Sequence, residues 1–136
     1  MNIINSPQQH LLDQLQKQVK DENQSNSPKG IGIMDLGSNL DCWHCIAIED
    51  EEPLGAATVH LGNELYKLYV APQHRTKHIA EKLVNHVMAS LKENGETEMF
   101  IEMTSNSLPF WAKFVEKHQL EYDLIPEQLK AFIKLK

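Results

Sequence analysis

Apolar residues recur at three- and four-residue intervals across positions 8–22, where Leu11, Leu12, Leu15 and Val19 share one face and Gln and Lys hold the other. That period predicts an amphipathic helix entered near Ser6-Pro7. The polar, Ser/Asn-rich stretch Asp21 to Lys29 carries Pro28 and reads as a loop. Apolar runs of strand length follow: Gly30 to Asp35, then Trp43 to Glu49, which ends at Asp50-Glu51-Glu52-Pro53. Leu54 to Leu61 and Glu64 to Ala71 flank Gly62-Asn63, the spacing of a hairpin with a two-residue turn. From Thr76 to Asn94 the helical period returns, with Ile79, Ala80, Leu83, Val84, Val87, Met88 and Leu91 on one face and Gly95 as the stop. Glu98 to Met103 alternates as a strand, and Ser107 to His118 carries Phe110, Trp111, Phe114 and Val115 at helical spacing. Glu121 to Ile125 and Ala131 to Leu135 close the chain as a strand pair around Pro126-Glu127. The order predicts an α+β fold, a mixed and mostly antiparallel central sheet flanked by helices, and it does not match a doubly wound alternation.

Length and charge narrow this picture. The 136 residues suit one domain, 1–136, with an N-terminal helix and polar loop over 1–29 and the core over 30–136. A net charge of −6 removes the electrostatic footprint of a nucleic-acid binder. No apolar run has the roughly 20 residues of a membrane span, and the first residues lack the basic and apolar parts of a signal peptide. A cytoplasmic location is the expectation. Cys42-Trp43-His44-Cys45 has redox or zinc spacing, yet on a strand the two thiols point to opposite faces, and no second Cys/His pair follows. The seven histidines also lack ligand spacing, so no metal is expected.

Against that acidic background, Arg75 is the only arginine, and it lies in a basic cluster with His74, Lys77 and His78. The cluster sits between a strand and a long helix. Arginine binds phosphate in bidentate fashion, and a helix start offers free N–H groups and a favourable dipole. A phosphate or pyrophosphate site is expected there.

With the strand Leu68-Tyr69-Val70 and Pro72 before it, Arg75-Thr76-Lys77-His78-Ile79-Ala80 resembles the acetyl-CoA motif of the GNAT superfamily of N-acetyltransferases, Gln/Arg-x-x-Gly-x-Gly/Ala. The element order matches that family over about residues 30–136. The resemblance implies that backbone N–H groups from Arg75 to Ala80 wrap the pyrophosphate, while the backbone of Leu68 and Val70 pairs with the pantetheine arm. It also implies pantetheine contacts for Asn106, which alternatively caps the next helix with Ser105, and for Phe110 or Trp111, which alternatively are core. Gly55 matches the family's small residue on the third strand; the alternative reading is a bulge or tight sheet packing.

Two departures stand out. His78 occupies the family's central glycine and Thr76 a position where glycine is common. The helix that often supplies a tyrosine to protonate the leaving thiolate has Val115 or Trp111 there, depending on register. Direct attack by an amine chiefly needs a base and alignment. Glu64 and Glu102 are the candidates, with His60 a further one and Tyr122 a possible acid from the closing strands. The implied function is acetyl transfer from acetyl-CoA, as co-substrate, to an amine on a small molecule or peptide. The alternative is a non-catalytic CoA-sensing or protein-binding module. A short N-terminal wall implies an open acceptor groove or one completed by a second subunit, as in a homodimer.

Overall fold

The structure is a computed structural model, and it describes residues 1–5, 8–25, 42–105 and 107–135. The expected strand at Gly30–Asp35, the helix entry at Ser6-Pro7 and the Asn106 contact lie outside the described residues. Strands β1 (Asn2–Asn5), β2 (Cys42–Glu49), β3 (Glu52–His60), β4 (Glu64–Val70), β5 (Glu98–Glu102), β6 (Tyr122–Ile125) and β7 (Lys130–Lys134) form one sheet. Their spatial order is β1-β2-β3-β4-β5-β7-β6, antiparallel at every neighbour except β4 and β5, which run parallel. Helices α1 (Gln9–Ser25), α2 (Ile79–Glu93) and α3 (Leu108–Lys117) complete the mixed α+β architecture.

The alternation of side chains along the strands sends alternate residues to opposite faces. On one face α1 buries Leu11, Leu12, Leu15 and Val19 against Ile46, Ala56, Tyr69 and Ala71. On the other, α2 and α3 bring Leu83, Val84, Val87, Trp111 and Phe114 against Ala57, Val59, Leu65, Ile101 and Ile133. Leu15 and Leu83 are fully buried, and each such side chain stabilises by about 1.5–3 kcal/mol.

Several boundaries move from their expected positions. The polar residues Asp21 to Ser25 continue α1 instead of starting a loop, and β1 forms on a segment too short to show a period. β3 starts at Glu52, because Asp50 (φ 51°) and Glu51 (φ 65°) make the two-residue hairpin turn without the glycine that normally marks one. The long helix begins at Ile79, since Pro72–Lys77 is a 3₁₀ turn and His78 leaves the helical region altogether.

Two irregularities shape β4. Thr58 pairs with Lys67 but Val59 pairs with Leu65, so Tyr66 is the extra residue of a bulge. At Gly55, a Cβ would lie 2.6 Å from the Tyr69 carbonyl oxygen and 3.2 Å from Val70 Cα. Gly55 therefore serves close approach of β3 to β4, beside the register shift at Leu54. Gly55→Ala should destabilise the protein by about 1–3 kcal/mol, the usual cost of overpacking; an unchanged urea midpoint would contradict this account.

Candidate functional site

β4 and β5 pair only at Glu64↔Phe100 and Leu65↔Ile101, and then they separate. The phase of the β3–β4 ladder decides what the gap exposes. Ala71 N–H donates to the Leu54 carbonyl at 2.9 Å, and Ala56 stands opposite Tyr69. In an antiparallel ladder the hydrogen-bonded pairs alternate, so Tyr69 directs its N–H and C=O at β3. Leu68 and Val70 consequently turn theirs towards the gap.

The gap is a cleft of about 670 Å³, within the range of small-molecule sites. Leu68, Tyr69 and Val70 form one wall, Ile101 and Glu102 another, and Phe110 and Trp111 of α3 close it, with Arg75 and Ala80 at one end. Among the expected cofactor residues, the structure therefore assembles Leu68, Tyr69, Val70, Arg75, Ala80, Phe110 and Trp111. Both aromatic residues also belong to the core, Trp111 buried and Phe110 packed edge-on against it.

Arg75 is spoken for. Its Nε donates to the Val70 carbonyl at 2.9 Å, and its two terminal nitrogens donate at 2.8 Å each to the two carboxylate oxygens of Glu22 on α1. Tyr69 Oη donates to the same carboxylate at 3.1 Å. Glu22 is 8% exposed, so this bidentate pair is a partly buried staple of α1 to β4. Burial, followed by the Glu22 carboxylate, pushes the Tyr69 phenol well above its ordinary range. The sequence reading of Arg75 as a phosphate-facing side chain at a helix start missed both its partner and its place in the 3₁₀ turn.

The helix start itself fits an anion. His78 takes φ 59° and ψ 28°, a left-handed conformation, and no side chain caps α2. The Lys82 N–H reaches back to the His78 carbonyl at 3.2 Å, so the N–H groups of Ile79, Ala80 and Glu81 precede the first helical bond. The left-handed backbone explains why this position favours glycine; histidine is among the few other residues that tolerate it. The neighbouring carboxylate of Glu81 is held below its ordinary range by hydrogen bonds from Lys117 and His118 of the α3 end.

Other expected residues fall elsewhere. His74 is buried beside Glu52 and Lys77, with contacts of 3.4 and 3.1 Å, and lines no part of the cleft. Lys77 is exposed next to it, Ile79 puts its side chain into the core, and the Thr76 side chain lies outside the described atoms. Glu102 lines the cleft, whereas the buried Glu64 sits one residue before its lining, on the face shared with Tyr69. Val115 is half-buried, and Tyr122 lines an adjoining apolar hollow with Leu124 and Ile133, which shares Ile101 and Trp111 with the cleft; Tyr122 itself is not in the cleft lining. Thr104 and Ser107, overlooked in the sequence, line the cleft and bond reciprocally: Thr104 N–H to Ser107 Oγ at 2.9 Å, Ser107 N–H to Thr104 Oγ1 at 3.1 Å. Their i, i+3 spacing ahead of an apolar helix was the available signal.

Cys45 belongs to the core of the α2 face and burial pushes its thiol up to about 11, so it is unreactive. Among the described residues no group of three His, Cys, Asp or Glu side chains is placed to hold a metal, and no helix is long and apolar enough to cross a membrane.

The sequence profile of the acetyltransferase (GNAT) family matches residues 9–115. No curated protein sequence matches. Among solved structures, a GNAT-family acetyltransferase from Staphylococcus aureus superposes with a TM-score of 0.70 at 16% identity, covering 99% of both chains. The PaiA N-acetyltransferase of Thermoplasma acidophilum, determined in complex with coenzyme A, gives 0.67 at 16% identity, over 100% of this chain and 99% of that one. Tetrahymena GCN5 gives 0.71 at 10% identity, over 100% and 97%. At these identities the likeness to solved structures is one of fold.

Two outcomes follow from the geometry. His78→Gly should raise stability by up to about 1 kcal/mol, the left-handed penalty less the added chain entropy, while His78→Ala should not; equal melting temperatures for the two variants would refute the strain. Arg75→Met should cost about 1.5–3 kcal/mol and clearly less in a Glu22→Gln background, as a double-mutant unfolding cycle measures.

Proposed function

The chain belongs to the GNAT acetyltransferase family, and from that premise we propose that it transfers an acetyl group from acetyl-CoA to an amine by direct attack. The observation that carries this reading is the open edge of β4 running into the uncapped start of α2. The N–H and C=O of Leu68 and the N–H of Val70 suit the amides of a pantetheine arm; the Val70 carbonyl already accepts from Arg75. Ahead of them, the N–H groups of Ile79, Ala80 and Glu81 and the helix dipole suit a diphosphate. Arg75 retains N–H groups beyond the three it uses, and its side chain is 42% exposed at that end of the cleft. Its contribution is thus shared between fold and ligand. The coenzyme A bound to the PaiA relative supports the choice of ligand.

On the acceptor side the same strands supply the base. Glu64 on β4 and Glu102 on β5 both belong to the sheet face that carries α1, since Leu65 and Ile101 point to the other face. Either carboxylate would take the proton of an ammonium, so that the free amine meets the thioester carbonyl held along β4. A thiolate is a good leaving group near neutral pH, its conjugate acid titrating at about 8.5. The absence of a tyrosine at Val115 or Trp111 therefore leaves the reaction feasible. A net charge of −6 favours encounter with a cationic acceptor.

Calorimetric titration with acetyl-CoA, followed by a thiol-release assay over lysine, polyamines and a lysine-bearing peptide, tests the proposal. Binding and amine-dependent release are expected, with Glu64→Gln or Glu102→Gln lowering kcat about 10²-fold or more, as loss of a general base does. No binding would end the reading; binding without turnover of any amine would favour the CoA-sensing alternative.

A further inference from the structure

A second group stands behind the carboxylate at the start of β4. His60 ends β3 directly opposite Glu64, and its Nε2 lies 2.9 Å from Glu64 Oε1. The two side chains are 20% and 12% exposed. Nε2 itself is fully buried and makes no well-aligned hydrogen bond, so the contact is close but off line. A buried polar nitrogen without an aligned partner is unfavourable, and a small rotation of the carboxylate would satisfy it. The ring is fixed from its other side: it stacks on Tyr66 at 3.9 Å and 21°. Tyr66 is the extra residue of the β4 bulge and lines the cleft. Cleft wall, aromatic stack, imidazole and carboxylate thus form one contiguous chain.

We propose that His60 is a positioning residue for Glu64 in acetyl transfer, an inference that rests on the reading above and also selects Glu64 over Glu102. The imidazole Nε2–H holds Oε1, which turns Oε2 to the acceptor. The off-line contact of the resting state tightens when a cationic amine draws the carboxylate round, as catalytic hydrogen bonds commonly do on loading. The balance of the step is simple. The acceptor ammonium gives one proton to Glu64, which passes it to water. The nitrogen lone pair forms the N–C bond, the C–S bond breaks, and its electron pair leaves on sulfur. The second amine proton matches the one that the thiolate takes up, so one proton is released for each acetyl group moved. The stacked Tyr66 also transmits the bulge to the base: a shift of the cleft wall moves the ring that orients the carboxylate.

The test uses the whole chain, acetyl-CoA and the best amine of the panel. His60→Phe keeps the stack on Tyr66 and removes the donor; His60→Gln supplies an amide N–H near the place of Nε2. His60→Phe should lower kcat about tenfold with the KM and calorimetric affinity for acetyl-CoA unchanged, and His60→Gln should recover most of the loss. In a Glu64→Gln background His60→Phe should add nothing, because a residue acting through another has no effect once that partner is gone. Wild-type kcat in His60→Phe, or losses that multiply in the double variant, would overturn the proposal while leaving the acetyltransferase reading intact. Wild-type protein inert toward every amine would overturn that reading and this one with it.

Discussion

The separation of β4 from β5 is the constraint on which the rest depends. A parallel pair that closes only at Glu64↔Phe100 and Leu65↔Ile101 leaves a strand edge in mid-sheet. Unpaired N–H and C=O groups are tolerated there only while water or a ligand reaches them. Three local features hold the edge open. The Tyr66 bulge increases the twist of β4, Gly55 lets β3 hold that strand closely, and Phe110 and Trp111 of α3 fill the wedge from one side. Each is packing, yet the sum is a row of peptide groups that an amide-bearing chain complements.

The charge distribution follows from that opening. The chain has one arginine, and the fold directs most of it to a carboxylate on α1 and to a strand carbonyl. This ties the helix that covers one face of the sheet to the turn that begins the other, across 53 residues of sequence. The Tyr69 ring, 5.6 Å from the guanidinium carbon, completes the junction at the middle of the open edge. Any ligand that draws on the remaining N–H groups of Arg75 therefore acts on the C-terminal part of α1 as well.

What could be read from the sequence divides along the same line. The periods of α1, α2 and α3, the strands from β2 to β7 and the strand–turn–helix around Arg75 are local patterns, and each was legible; β1 was not. The resemblance carried the cleft residues Leu68, Val70, Phe110 and Trp111 because they ride on those elements. The Glu22–Arg75 pair, the stack of His60 on Tyr66 and the reciprocal Thr104–Ser107 bonds were not legible. The first joins distant segments, the second depends on a bulge that shifts register by one residue, and the third lies in the short turn between β5 and α3, where no period shows. The turn at Asp50-Glu51 was missed because two acidic residues adopt positive φ where glycine or asparagine is the usual signal.

His78 shows why a departure from a motif need not mean a departure from its chemistry. At φ 59° it holds the conformation that glycine would supply without strain. The turn is thus kept, and α2 still begins with its N–H groups free of helical partners. An anion site built on main-chain donors depends on where the backbone goes, and the side chain matters only through the room its Cβ takes. The ring of His78 is 75% exposed and lies 3.6 Å from Glu81, outside the core and away from the cleft lining. The substitution therefore exchanges some stability for a side chain at the rim. It removes none of the donors on which a diphosphate would rest.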